Sequence, residues 1–463
     1  MNSTRKGFLI RAAAVAGAGL VRRVLATLTG GSTAAYAAVP TARPAPHSMT
    51  HGPFVGHVTS TTAMVWARCS APGSYGLTAR GIGGRDEVAA IAEATPETDM
   101  CVVWRLTGLR AGSTHRYEVT HEGQRIVGDE DTFFTTPSAQ DAPSVTRLAI
   151  GSCAREDAGS ARVWRRMAAV EPHAVVLLGD TPYIDSTVLE IQRTRYGEFA
   201  AVPEFADLLR NRPLYATWDD HDFGANDTDG RLDGKEDARR AFIEYHANPS
   251  YGEGDEGVYT KFRRGGIEVF LLDTRYFAGT EASPAADASA EAPAEETREA
   301  PPEPEGPTME DLRRELRAST APFKLLASGM IWNAAVRPGK PDHWGSYPHE
   351  RDALIRFIGE QDISGVVLAG GDVHRTRVLR YETTDIAGYS ITELITSPIH
   401  AGVIDTANAP HPALVHDSGE PNCFLLLTVD TTVAPPTLTA QFQNAAGREL
   451  YSLTLNAEEL VAQ

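Results

Sequence analysis

Leu214-Tyr215-Ala216-Thr217-Trp218-Asp219-Asp220-His221-Asp222 runs from a short apolar stretch straight into three carboxylates and an imidazole. A buried strand that ends in ionisable groups is the pattern of an α/β sheet, whose ligands bind beyond the carboxyl ends of its strands. The same grammar recurs on both sides of this stretch. The predicted strand 147–152 leads into Gly151-Ser152-Cys153, and 173–178 into Gly179-Asp180 with Tyr183 and Asp185 close behind. Strand 267–272 gives Asp273-Thr274-Arg275, and 323–327 gives Ser328 through Trp332 and Asn333. Strand 366–369 gives Gly371-Asp372-Val373-His374. Helical periodicity over 158–170 and 351–359 alternates with these runs, so an α/β layered domain is expected.

Each fragment alone has an ordinary explanation. A strand-end Asp is often a helix cap, and a lone Cys is often a small core residue. Together they are harder to dismiss. Several acidic groups on one sheet edge repel one another unless cations neutralise them. A polynuclear metal site is therefore predicted. Thiolate, phenolate, carboxylate and imidazole together suit iron. The remaining carboxylate and amide oxygens suit a hard divalent ion such as calcium, magnesium or manganese. Tyrosine argues against a tetrahedral zinc site.

Outward from this domain, residues 54–137 read as short alternating strands. They include Thr62–Arg68, Cys101–Trp104 and Arg116–Val119, with turn residues between them. The expected unit is a β-sandwich over 51–140, and nothing in it looks catalytic. Cys69 and Cys101 both fall there as candidates for a disulfide. A Pro- and Ala-rich linker is expected over 39–50. Residues 1–38 carry five basic groups and no acidic one. Their ten-residue apolar run, 12–21, falls short of the ~20 residues a bilayer span needs. With Ala35-Tyr36-Ala37 as a small-x-small cleavage site, this is the pattern of an export signal. Arg5-Lys6 resembles a twin-arginine motif with Lys in second place.

The chain has 463 residues, enough for two or three domains, and 42% hydrophobic residues, enough for a substantial core. Its net charge of −18 argues against a nucleic-acid partner or an anionic-membrane surface. Residues 281–310 hold nine acidic residues and six prolines, with Met309 the only large apolar one. They are expected to form a disordered acidic insertion within the catalytic domain, 145–463.

In this order, Gly-Ser-Cys, Gly-Asp-x-x-Tyr, Trp-Asp-Asp-His-Asp-x-Gly-x-Asn-Asp, Leu-Asp-Thr-Arg and Gly-Asp-x-His resemble the PhoD-type alkaline phosphatase and phosphodiesterase family. That family belongs to the calcineurin-like metallophosphoesterases. The resemblance spans roughly residues 50–460. The helix with Gln-Trp-x-Trp-Leu that is usual after the fourth strand is not recognisable, and Met309–Leu316 stands in its place.

The resemblance implies an αββα sandwich. In the unit before it, Leu106-Thr-Gly-Leu-Arg-Ala-Gly-Ser-Thr-His-Arg-Tyr117 resembles a fibronectin type III strand and corner, so a fibronectin type III-like sandwich is expected there. The family resemblance also implies an iron–calcium centre (Fe3+ and Ca2+, with Mn2+, Mg2+ or Zn2+ as alternatives). Cys153, Asp180, Tyr183 and His374 would hold iron. Asp180 would bridge to calcium, with Asp220 and Asp372 as further ligands and Asp219 and Asn226 as candidates for a second calcium. His221, steered by Asp222, would serve the leaving oxygen. Arg275 would clamp phosphate or pair with Asp273.

The expected reaction is hydrolysis of a phosphate ester by an exported protein that uses the twin-arginine machinery. Diester cleavage of the phospholipase D kind is the near alternative. A non-enzymatic cell-wall binding protein is the distant one.

Overall fold

Ala174–Leu178 and Val366–Gly370 are strands buried along their whole length. That is what parallel strands covered on both faces require. They belong to two different sheets. The computed structural model describes residues 47–84, 86–279, 307–334 and 340–462. The expected export signal, and residues 281–306 of the expected insertion, lie outside the described residues.

The first sheet orders its strands Leu214–Thr217, Ala174–Leu178, Val145–Gly151, Cys423–Asp430, Thr437–Asn444 and Glu449–Asn456. The first three run parallel, and the rest join antiparallel. The second sheet orders Thr260–Arg264, Ile267–Leu271, Phe323–Ala327, Val366–Gly370, Ile391–Ile395, Thr376–Tyr381 and Leu414–Ser418. Its parallel core runs from Ile267–Leu271 to Ile391–Ile395.

Side chains alternate between the faces of a strand. Leu148, Ile150, Val176 and Leu178 therefore join one apolar cluster with Val269, Leu325 and Val367 of the second sheet. Their neighbours Ala149, Val175 and Leu177 instead meet Val163, Trp164 and Met167 of the helix Ala158–Ala169. Asp157 caps that helix by accepting from the Ser160 N–H at 2.8 Å. The helix Pro307–Ala318 places Met309, Leu312 and Leu316 in the first of these clusters. Residues 307–310, expected to be disordered, are therefore helical, because Met309 has a core to enter.

In front stands a two-sheet sandwich. One sheet pairs Met49–Val58, Thr62–Cys69 and Cys101–Thr107. The other orders Glu87–Ala94, Gly73–Gly81, Thr114–His121 and Gln124–Val127, with Phe133–Thr135 beside Thr114–His121. The first strand starts inside the segment read as linker. Val65, Trp104, Tyr75, Leu77 and Val119 fill the space between the sheets. Register sets Arg68 opposite Cys101, so Cys69 and Cys101 point to opposite faces. Cys69 faces the sandwich core and Cys101 the α/β body, and both are free thiols. The disulfide considered from sequence is not formed.

The sandwich docks through Phe54 and Trp66, which pack on Phe205 and Tyr245. The Trp66 Nε1–H donates to the Glu244 carbonyl at 2.7 Å. Gly56 allows the closest approach, since a Cβ there would lie 2.3 Å from the Ala247 Cβ. Asp99 accepts from Arg68 at 2.8 Å and from the Tyr245 hydroxyl at 2.6 Å. No described helix is long and apolar enough to cross a membrane. Trp66→Ala removes both the ring packing and the buried hydrogen bond. It is expected to lower stability by about 3–5 kcal/mol, read from the shift of the urea denaturation midpoint.

Candidate metal centre

Residues just past the carboxyl ends of parallel strands from both sheets bring their side chains together. Three groups of side chains there bring their ligand atoms within 4.8 Å of one another: Cys153, Asp180 and His374; Asp180, Asp220 and His221; Asp220, Asp227 and Asp342. Asp180 belongs to the first two groups and Asp220 to the last two, so the ligand atoms form a continuous chain. Six residues of this rim hold left-handed backbone: Cys153 (φ 57°), Asp180 (53°), Asp185 (57°), Asp227 (58°), Asp372 (61°) and His374 (52°). Non-glycine residues adopt this region at a cost, and such strain gathers at functional sites.

The electrostatics ask for a cation. Burial and the neighbouring Asp220, Asp219, Asp222 and Asp372 push the Asp180 carboxyl far up. Burial and Asp180 do the same to the Cys153 thiol, and burial with Cys153 and Asp180 to the Tyr183 phenol. Burial raises Asp372 against the pull of Lys340. Burial also works against the charge on Asp220. Arg275, His221 and Lys340 nevertheless hold it down to about 2. Asp372 Oδ2 is buried without a hydrogen-bond partner. A buried carboxylate oxygen left unpaired is costly, and a bound cation would satisfy it. The donor set of thiol, phenol, carboxylate and imidazole therefore fits metal.

Tyr183 reaches the site through its oxygen, 2.9 Å from His374 Nε2 and 3.1 Å from His400 Nε2. Cys153 Sγ lies 3.5 Å from Asp180 Oδ2. Cys153, Asp180, Tyr183, Asp220 and His374 thus lie together, whereas Asp372 joins none of the three groups and pairs with Lys340 at 2.7 Å.

Four expectations change. Asp222 does not steer His221; its carboxylate accepts the backbone N–H groups of Asp219 at 2.5 Å and Asp180 at 3.3 Å, bracing the loop. Asp185 faces the imidazole instead, with its Oδ1 2.5 Å from His221 Nδ1. Arg275 is fully buried and spends its guanidinium on Asp219, Asp342 and the Thr228 carbonyl. It pairs neither with a free phosphate position nor, through its side chain, with Asp273. That pairing also occupies Asp219 Oδ1. Asn226 is exposed, and Asp227 and Asp342 complete the third group in its place. Trp332 is buried and stacks on Trp344, and Asn333 bonds His411.

Sequence reasoning gave no role to Asp185 or Asp227, nor to four further residues. Lys340 puts its ammonium 2.7 Å from Asp372, 3.3 Å from Asp227 and 3.6 Å from Asp342. Arg155 is exposed, with its guanidinium 4.1 Å over the Tyr183 ring centre. Among the described residues no carboxylate pairs with it. His400 and Asp342 are the other two. Asp185 and Arg155 stood beside recognisable motifs. Lys340, Asp342 and His400 had no such signal.

A family model described as PhoD-like phosphatase matches residues 148–433, and one described as a domain of unknown function (DUF7800) matches 46–139. Alkaline phosphatase D of Bacillus subtilis (strain 168) is 25% identical over 301 residues, covering 56% of this chain and 50% of that protein. The chain therefore spans about half the length of this curated relative. The solved structure of PhoD superposes with a TM-score of 0.66 at 17% identity, over 88% of this chain and 92% of that one. Purple acid phosphatase PPD1 from yellow lupin (Lupinus luteus) gives 0.67 at 13% identity, over 88% and 75%. At these identities the two structures share the fold.

The raised carboxyls set a pH dependence. Folded Asp222 holds its proton up to about 7 because it is buried, against 3.8 for an ordinary Asp, and Asp180 and Asp372 are raised as well. These carboxyls keep protons in the folded metal-free protein that the unfolded chain releases near pH ~4, so their contribution to stability falls as pH rises. Histidines that burial lowers to about 4, His57, His173, His246 and His400, contribute in the opposite sense below pH ~6.5. Comparison with a variant isolates the carboxyl: relative to chelator-stripped wild type, the urea midpoint of stripped Asp180→Asn is expected to rise between pH 5 and pH 8, and a constant or falling difference would contradict it.

Proposed function

The chain belongs to the PhoD-like phosphatase family, and from that premise we propose an exported, metal-dependent hydrolase of phosphate esters. The observation that carries the reading is the continuous ligand chain in which Asp180 and Asp220 are each shared between two groups. In this reading Cys153, Asp180, Tyr183 and His374 hold Fe3+. Asp180, Asp220 and Asp372 hold Ca2+, with Mn2+, Mg2+ or Zn2+ as substitutes. Asp227 and Asp342 supply a further cation position beside Asp220. Bound there, the cations would lower the pKa of an attacking water and neutralise charge on the phosphoryl oxygens.

The protein's own groups do the rest. Asp185 takes the Nδ1–H of His221, which leaves Nε2 to carry a proton to the leaving oxygen. Asp185 also supports the positive charge of the protonated ring. Arg275 does not clamp phosphate here; it neutralises Asp219 and Asp342. Arg155, whose guanidinium lies over the Tyr183 ring and pairs with no carboxylate among the described residues, is the better placed group to meet a substrate phosphate. The front sandwich is read as fibronectin type III-like from the stretch Leu106–Tyr117, and export as twin-arginine dependent from Arg5-Lys6 and the apolar run 12–21. Monoesters are the first substrate class. Diesters of lipid head groups or cell-wall polymers are the second.

Purified mature protein should hydrolyse a phosphate monoester or diester, lose the activity to chelator and regain it with iron and calcium. Parallel rates on the two ester types assign the class. An inert metal-replete protein would overturn the proposal. His221→Ala should lower kcat by about 10²–10⁴-fold, the usual span for one acid–base group. Asp185→Asn should lower it less, because the ring remains. Retention of full rate by His221→Ala on an ester with a poor leaving group would remove that residue from the mechanism.

A further inference from the structure

His400 lies 3% exposed against the metal ligands, and the proposed reaction leaves it without a task. Its surroundings fix which ring nitrogen carries the proton. The Gly402 backbone N–H donates to His400 Nδ1 at 2.7 Å. A nitrogen that accepts a hydrogen bond holds no proton, so the proton sits on Nε2. That nitrogen is 3.1 Å from the Tyr183 oxygen. The same oxygen lies 2.9 Å from His374 Nε2. The hydrogen bonds therefore run one way: His400 Nε2–H to Tyr183, and Tyr183 O–H to His374. A metal that takes Tyr183 and His374 as ligands displaces the second proton and leaves the first.

The ring cannot easily turn. A Cβ on Gly402 would come within 2.7 Å of His400 Cε1 and 3.1 Å of Nδ1, so residue 402 must lack one. The His400 backbone N–H is tied to the Cys153 carbonyl at 3.0 Å, and its carbonyl accepts from Asn422 at 3.2 Å. The ring stands edge-on to His374, with centroids 4.6 Å apart. Its only lone pair in the ring plane belongs to the Nδ1 that Gly402 occupies.

We infer that His400 is a positioning residue and not a metal ligand: it donates a permanent hydrogen bond from Nε2 to the Tyr183 oxygen and so sets the orientation and donor strength of that ligand. The inference rests on the proposed metal site. Partners one step behind a ligand commonly change metal affinity by about 10–100-fold when removed.

Ring-nitrogen NMR of the metal-free wild-type protein tests the tautomer without any metal. A proton on His400 Nε2 supports the inference, and a proton on Nδ1 overturns it. Full-length wild type, His400→Phe and His400→Gln are then loaded with Fe(III) alone and challenged with chelator. The Phe variant should lose iron about 10–100-fold faster than wild type. Its visible tyrosinate band should move to longer wavelength, because the oxygen lone pairs lose the stabilising hydrogen bond. The Gln variant, whose amide N–H can reach the same oxygen, should stay close to wild type on both readouts. A Phe variant with wild-type band and iron release overturns the inference, as does a Gln variant that falls as far as Phe. Wild-type protein that takes up no metal would overturn the proposed function, and this inference with it.

Discussion

Asp180 is where the charges of this molecule collide. Its carboxylate is buried among Asp220, Asp219, Asp222 and Asp372, all of which resist its ionisation. Two unit charges 4 Å apart repel by about 4 kcal/mol at an effective dielectric of 20. That is a large fraction of the stability of an ordinary domain, about 5–15 kcal/mol. The fold answers this in two ways. Arg275 and Lys340 are interior cations that already pair with Asp219, Asp342 and Asp372. Where no side-chain cation reaches, a retained proton or a bound cation relieves the repulsion.

The backbone makes this concentration of charge achievable. Parallel strands buried on both faces leave the chain abruptly at their carboxyl ends, and six rim residues turn there through left-handed conformations. The two apolar clusters lock the strands from both sides. Local strain at the rim is thus carried by packing elsewhere. The front sandwich adds a second brace through Trp66, Gly56 and the Asp99 network.

Much of this was legible because the chemistry follows the apolar runs directly in sequence. Cys153, Asp180, Asp220, Asp372 and His374 each sit within a few residues of a strand end. Which carboxylate meets which imidazole was not legible. Asp222 is next to His221 in the chain, but the loop turns it toward backbone N–H groups and brings Asp185, 36 residues earlier, to the ring instead. Arg275 likewise found Asp342, 67 residues away. The strand Ile391–Ile395 hid itself, because Glu393 interrupts its apolar run. That glutamate is fully buried and accepts from the Trp332 N–H and the Tyr381 hydroxyl. Missing that strand meant missing His400 just beyond it.

The opposed faces of Cys69 and Cys101 leave the front sandwich without a disulfide. The front sandwich owes its stability to Trp104, Tyr75 and their apolar neighbours, with no covalent staple between its strands. Its thiols are sealed inside, and burial pushes the Cys69 thiol up to about 12, far from the reactive thiolate form. Reductant has no bond to break in the sandwich, so its fold rests on apolar packing alone.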